Sequence, residues 1–104
     1  MYGAKSVSIV FPAYNEGDNI RRAVEEFAIP GVVDEVVVID NNSRDATATE
    51  AAAGGARVVR ETRQGYGYAL QRGLREATGD LVILAEPDGT FVVRVPHTMS
   101  KSSE

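Results

Sequence analysis

Leu81-Val82-Ile83-Leu84-Ala85-Glu86-Pro87-Asp88 is the stretch that decides the fold and first indicates the chemistry. A short apolar run rich in branched side chains is typical of a buried strand. Pro87 fixes its own φ and disfavours a helical Glu86, so the strand stops there. Glu86 and Asp88 follow the strand end, and carboxylate oxygens are the ligands that Mg²⁺ and Mn²⁺ prefer. Taken alone, such an acidic pair is more often a solvated turn.

The rest of the chain alternates apolar runs with segments of helical spacing. The runs cover residues 7–11, 35–39, 56–60 and 80–85. Ser43 follows the second run and is predicted to cap an Ala-rich helix that ends before Gly54-Gly55. Near-continuous apolar strands alternating with amphipathic helices predict a parallel sheet covered on both faces. We therefore predict an α/β fold, a Rossmann-like three-layer sandwich with a mostly parallel four-stranded sheet.

Composition bounds the class of protein. The 104 residues are 43% hydrophobic and 25% charged with a formal net charge of −4, which is typical of one globular domain. We assign residues 1–94 to this domain and residues 95–104 to a polar, disordered tail. An acidic domain is a poor nucleic-acid binder. The absence of cysteine excludes disulfides and thiolate sites. Without a signal-peptide or membrane-span pattern, we expect the protein in the cytoplasm or at the membrane periphery.

Polar residues collect in the loops that follow strands, and the loops that precede strands hold mainly small or turn residues. The groups that follow the four strands are Tyr14, Asn15 and Glu16; Asp40, Asn41, Asn42 and Ser43; Arg60, Arg63 and Gln64; and Glu86 and Asp88. In a parallel sheet these positions share one edge, where open α/β sheets bind ligands. Carboxylates with a divalent metal suit a diphosphate, and Asp and Asn suit a base or ribose. The residues therefore indicate a metal-bound nucleotide diphosphate.

Other nucleotide-binding classes fit less well. Gly65-Tyr66-Gly67 lacks the third glycine of the dinucleotide fingerprint, since Leu70 holds that position, and it opens the third helix rather than the first. The loop at residues 12–17 lacks the phosphate-cradling pattern of P-loop proteins. The same loop lacks the Gly-rich, arginine-containing sequence that a nucleotidyltransferase of related fold needs.

Four ordered motifs resemble the family 2 glycosyltransferases with the GT-A fold, especially the dolichol-phosphate-mannosyltransferase-like branch. They are Val10-Phe11-Pro12-Ala13-Tyr14-Asn15-Glu16, Val38-Ile39-Asp40-Asn41-Asn42-Ser43-Arg44-Asp45-Ala46-Thr47, Arg63-Gln64-Gly65-Tyr66-Gly67-Tyr68-Ala69 and Gly79-Asp80. The acidic pair resembles the family's Asp-x-Asp motif. The resemblance covers roughly residues 6 to 91.

The resemblance implies a donor site for a UDP- or GDP-linked sugar. The implied donor-binding residues are Pro12, Ala13, Tyr14, Asn15, Glu16, Asp40, Asn41, Arg63, Gly65 and Glu86. Asp88 would be the main contact to Mn²⁺ or Mg²⁺, with Glu86 as a second metal contact or nearer the ribose or sugar. The metal would act as a Lewis acid on the departing diphosphate, and the sugar would be transferred with inversion.

Two departures and the length of the chain qualify this expectation. Asn41 stands where the family usually has the second Asp of an Asp-Asp pair, and Glu86 replaces the first Asp of the metal motif. The family's enzymes are considerably longer, and their second half holds the acceptor pocket and the general base. We therefore expect a donor-binding half that is inactive alone and self-associates, its acceptor a polyprenyl phosphate or a glycan. The alternative is a non-catalytic nucleotide-binding or interaction module of the same fold.

Overall fold

The computed structural model describes residues 6–86 in full and the backbone of residues 92–96. In these residues the first four strands alternate with three helices, and a fifth strand follows the fourth without a helix between them. The elements are β1 (Val7–Ala13), α1 (Ile20–Phe27), β2 (Glu35–Asp40), α2 (Thr47–Ala53), β3 (Arg57–Arg60), α3 (Tyr66–Glu76), β4 (Leu81–Ala85) and β5 (Val92–Pro96). None of the described helices is long and apolar enough to cross a membrane.

The sheet has the order β3-β2-β1-β4-β5, and its first four strands are parallel. The predicted α/β sandwich with a mostly parallel sheet is confirmed. The chain builds outward from β1 through β2 to β3 and then crosses to the other side of β1 to form β4. This reversal of direction creates the crevice beside β1 where open α/β sheets bind ligands.

Strand β5 was not predicted from the sequence. It pairs antiparallel with β4, with Ala85 opposite Val92 and Leu81 opposite Pro96. The predicted four-stranded sheet was therefore one strand short. Strand β5 lies at the sheet edge, where the lack of a backbone N–H in Pro96 is tolerated. It also extends past the predicted start of the tail at Val95. Residues 97–104 and Asp88 lie outside the described residues.

The two faces of the sheet are covered by different helices, because successive strand side chains point to opposite faces. On one face β1 packs toward α1 and α2, and Phe11 meets Phe27 edge to face at 5.3 Å between ring centroids. On the other face Val10 and Ile39 pack against α3. The layers are thus α1 and α2, the sheet, and α3.

Helix α3 lies unusually close to the sheet. A Cβ added at Gly73 would fall well inside the contact distance of Val10 Cγ1 and would also press on Ile39. Overpacking of this kind is destabilising because the core is already dense. The small residue therefore fixes α3 against β1 and β2, and so fixes Tyr66 at its first turn over the carboxyl edge of the sheet.

Candidate functional site

A pocket of about 190 Å³ opens at the carboxyl edge, between the ends of β1 and β2 and the start of α3. Its walls are Pro12, Ala13, Tyr14, Asn41, Gln64, Gly65, Tyr66 and Ala69. Five of these were predicted from the sequence, namely Pro12, Ala13, Tyr14, Asn41 and Gly65. Gln64 was predicted to lie at this edge but not to bind the donor, and neither Tyr66 nor Ala69 was predicted in the site. The side chains of Tyr14 and Tyr66 remain 47% and 56% exposed, so two aromatic rings are available to a ligand.

Asn15 and Glu16 do not line the pocket, and their hydrogen bonds instead hold the loop after β1 in place. The Asn15 N–H donates to Ser43 Oγ at 2.8 Å, and Asn15 Oδ1 accepts the Arg44 N–H at 2.9 Å. The Glu16 N–H donates to Thr47 Oγ1 at 2.8 Å. The loop after β1 is therefore tied to the loop after β2. Helix α2 begins only at Thr47, so the predicted capping role of Ser43 was wrong and its hydroxyl joins the two loops instead.

Asn41 holds in place the side of the pocket formed by the loop between β3 and α3. Its side chain is buried, and Nδ2 donates to the carbonyls of Glu61 at 3.0 Å and Arg63 at 2.8 Å. Its Oδ1 accepts the Gly65 N–H at 2.9 Å. One amide thus satisfies three backbone groups of the loop between β3 and α3. Asn41 contributes to the pocket by holding this loop in place.

These contacts explain why the chain has Asn rather than Asp at position 41. An ionised carboxylate only accepts hydrogen bonds, whereas two of the three partners of Asn41 are carbonyl oxygens. Gly65 is held by the same side chain, because its N–H donates to Asn41 Oδ1. Its φ of +140° favours glycine, and it positions the start of α3.

The Asp40 carboxylate does not line the pocket. Its side chain is buried, Oδ1 accepts the Ser43 N–H at 3.0 Å, and Oδ2 lies 3.7 Å from the Arg60 guanidinium. Asp40 thereby shapes the turn after β2, in which Asn42 adopts a φ of +64°. A direct nucleoside contact from Asp40 stays a prediction.

Arg63 is also outside the pocket wall, and its charge is already paired. Its guanidinium contacts both oxygens of Glu61, at 3.1 and 3.3 Å, and stacks over the Tyr68 ring at 4.6 Å. Arg72 lies 3.5 Å from the same carboxylate. Glu61 was missed by the sequence analysis because nothing in its local sequence marks a buried acid. Arg63 stabilises the loop in this structure rather than offering a free cation for phosphate.

The Arg63 pairing has a consequence for stability at low pH. Hydrogen bonds from the Arg63 side chain and backbone, helped by the charge of Arg72, lower the pKa of Glu61 from 4.5 to about 2. A carboxyl whose pKa is depressed on folding stabilises the native state fully above the unfolded pKa. That contribution is lost as the pH falls from about 4.5 toward about 2.

We expect Glu61→Gln to lower the melting temperature at pH 7 and to flatten its dependence on pH between about 4.5 and 2. Thermal melts monitored by circular dichroism across this range measure both effects. Glu26→Gln, on the exposed side of α1, is the control and should leave the pH profile unchanged. Parallel pH profiles for Glu61→Gln and the wild type would contradict the role assigned to Glu61.

Glu86 follows β4 and reaches the pocket through Tyr66. The Tyr66 hydroxyl donates to Glu86 Oε2 at 3.2 Å. Partial burial and the nearby Glu86 charge raise the pKa of the Tyr66 phenol. This contact places Glu86 beside a residue of the pocket wall, and its role in donor and metal binding stays a prediction. The position of Tyr66 between two glycines at the start of α3 was visible in the sequence, but only the close approach of α3 to the sheet brings it to Glu86.

The second predicted metal ligand, Asp88, lies outside the described residues. Within the described part of the chain, no group of three His, Asp or Glu side chains is arranged to hold a metal ion. Glu86 supplies a hard oxygen donor, with Oε2 facing Tyr66. That chemistry fits Mg²⁺ or Mn²⁺. The role of Asp88 stays a prediction from sequence.

The sequence profile described as Glycosyl transferase family 2 matches residues 8–93. The chain belongs to this family. A glucosyl-3-phosphoglycerate synthase of Mycolicibacterium paratuberculosis is 38% identical over 94 residues, covering 81% of this chain and 29% of that protein. An uncharacterised glycosyltransferase of Mycobacterium tuberculosis is 41% identical over 86 residues, covering 83% of this chain and 38% of that protein.

Solved structures agree with this family 2 assignment. The crystal structure of the Mycobacterium tuberculosis glucosyl-3-phosphoglycerate synthase with Mn²⁺, UDP and glucosyl-3-phosphoglycerate has a TM-score of 0.74 and 35% identity. The similarity covers 81% of this chain and 34% of that one. A further structure of the enzyme contains Mg²⁺ and UDP. The family 2 chain described here thus spans about a third of the length of these relatives.

Proposed function

We propose that this family 2 chain supplies the donor-binding part of a glycosyltransferase and binds a nucleotide-diphospho-sugar in the pocket at the carboxyl edge. The observation that carries the proposal is the position of that pocket, between β1, β2 and α3 with the Glu86 carboxylate at its mouth. The family assignment and the nucleotide-bound structures of relatives support it.

The size and lining of the pocket suit a nucleobase. About 190 Å³ is below the roughly 300–1,000 Å³ of pockets that enclose a whole drug-sized ligand. The proposed pocket therefore takes the base, and the ribose and diphosphate extend toward Glu86. The exposed rings of Tyr14 and Tyr66 offer flat apolar surfaces on which a base can stack.

The charge of the site requires a cation to accompany the diphosphate. The chain carries a formal charge of −4, and the two arginines predicted at this edge after β3 are already paired, Arg60 with Asp40 and Arg63 with Glu61. A divalent ion held by Glu86 and Asp88 would provide the missing positive charge. When bound, it would stabilise the charge that develops on the departing diphosphate.

The donor proposed first is a UDP-sugar, because UDP occupies the relative's structure, and a GDP-sugar is the alternative. The identity of the acceptor is a separate proposal. A phosphoglycerate is supported by the relative that holds glucosyl-3-phosphoglycerate, whereas a polyprenyl phosphate or a glycan is supported only by the sequence resemblance. Self-association of the chain also remains a proposal.

The test is a titration of ¹⁵N-labelled protein with UDP, in the presence and absence of Mg²⁺. We expect metal-dependent shifts of backbone amides around the pocket, at Ala13, Tyr14, Gly65 and Tyr66. Amides at the opposite edge, such as Ile29 and Val32 in the loop before β2, should not shift. GDP is the comparison ligand. Binding by both nucleotides without metal, or no binding by either, would contradict the proposed function.

A further inference from the structure

We propose that Tyr66 is a positioning residue that directs the Glu86 carboxylate at the ribose and thereby sets a preference for ribonucleotides over deoxyribonucleotides. The inference rests on the proposed function and assigns a role to a residue that sequence reasoning did not place in the site. The observation behind it is the 3.2 Å hydrogen bond from the Tyr66 hydroxyl to Glu86 Oε2 at the mouth of the pocket.

Tyr66 can hold another side chain in place because helix α3 is itself fixed at two points, one just before Tyr66 and one two turns after it. The Gly65 N–H bonds Asn41 Oδ1 immediately before the helix, and Gly73 packs directly on Val10 two turns later. The Tyr66 ring lines the pocket, and its hydroxyl extends to the end of β4. The contact therefore joins two elements that are far apart in the chain.

The Tyr66 contact uses one of the two oxygens of the Glu86 carboxylate. A carboxylate accepts hydrogen bonds at both oxygens and donates none. Among the described residues, Tyr66 donates a hydrogen bond to Glu86, and the acceptor is Oε2. No donor to Oε1 is found in the described part of the chain, so this oxygen can accept a hydrogen bond from the 2′-hydroxyl of a ribose beside the base. The proposed divalent ion would then be held mainly by Asp88, the main metal contact predicted from the sequence.

Selectivity follows from the loss of that hydroxyl. A site built to hydrogen-bond a substrate hydroxyl rejects the analogue that lacks it, because the site's own polar group is left unpaired. If Glu86 is no longer held by Tyr66, its side chain can rotate toward water, and the missing hydroxyl then costs little. Tyr66 therefore controls the ratio of the two affinities more than the affinity for either nucleotide.

The experiment measures dissociation constants for UDP and 2′-deoxy-UDP, and for GDP and 2′-deoxy-GDP, with Mg²⁺ by calorimetry. For the base that binds, we expect wild-type protein to prefer the ribonucleotide by about tenfold, the value of one hydrogen bond to a charged group. Tyr66→Phe, which removes only the hydroxyl, should bring this ratio close to one. Tyr68→Phe is the matched control, since Tyr68 stacks on Arg63 and does not line the pocket.

The possible outcomes distinguish a failure of the Tyr66 role from a failure of the proposed nucleotide binding. A ribose preference that is unchanged in Tyr66→Phe, absent in the wild type, or equally reduced in Tyr68→Phe overturns the role of Tyr66 while the nucleotide site stands. If the wild type binds none of the four nucleotides, the proposed function fails and the role of Tyr66 fails with it. Thermal melts of each variant establish that the fold is retained.

Discussion

Asn41→Asp is expected to lower the free energy of unfolding by about 3 kcal/mol and to weaken nucleotide binding with it. The wild-type amide donates to the carbonyls of Glu61 and Arg63, and the carboxylate would face both oxygens without a proton to offer. The loop between β3 and α3 would lose its anchor. Chemical denaturation measures the loss of stability, and calorimetry with UDP and Mg²⁺ measures the effect on the pocket.

Asn42→Asp is the matched control for this substitution. It makes the same chemical change at the adjacent residue, whose side chain contacts Gln64 and accepts a hydrogen bond from Arg60 at 2.7 Å. A carboxylate there would retain the Arg60 contact, so the stability should change by less than about 0.5 kcal/mol. Equal effects of the two substitutions would show that added charge, rather than the lost donors of Asn41, is responsible.

Asp88→Ala is expected to weaken metal-dependent nucleotide binding by about 100-fold or more while leaving the fold intact. The reason is the chemistry of the site. Loss of a hydrogen bond to a charged group costs about 1.5–3 kcal/mol, and a carboxylate that holds a divalent ion should be worth at least as much. Calorimetric titrations with UDP, with and without Mn²⁺, measure the effect.

The control for Asp88→Ala is Asp18→Ala, which removes an exposed carboxylate before α1 and changes the net charge by the same amount. It should bind UDP as the wild type does. A variant with Asp88→Ala that is unfolded, as judged by circular dichroism, would show that the residue is structural. A folded Asp88→Ala variant with wild-type affinity would exclude Asp88 from the metal site.

The fold was predictable because its signals are local. The apolar runs of β1, β2 and β4 are nearly continuous, as buried parallel strands require, and the loops that follow them carry the polar groups. The location of the site follows from that pattern alone, since carboxyl ends of parallel strands share an edge. Strand β5 escaped prediction because a short segment ending in Pro96 is recognisable as a strand only through its pairing with β4.

The partners of individual polar side chains were not predictable, because they depend on packing between distant segments. Arg63 looks like a phosphate ligand in the sequence, yet it pairs with Glu61 and stacks on Tyr68. Asn41 looks like a weakened family aspartate, yet the loop it holds requires its amide. Tyr66 lies twenty positions before Glu86, and the two meet only because α3 packs tightly on the sheet.

We propose above all that the pocket between β1, β2 and α3 binds the nucleotide of a sugar donor together with a divalent cation. The UDP titration of ¹⁵N-labelled protein with and without Mg²⁺ tests it most directly. We expect metal-dependent shifts confined to the carboxyl edge, at Ala13, Tyr14, Gly65 and Tyr66. Shifts centred on the loop of Ile29 and Val32, or no shifts with either UDP or GDP, would contradict it.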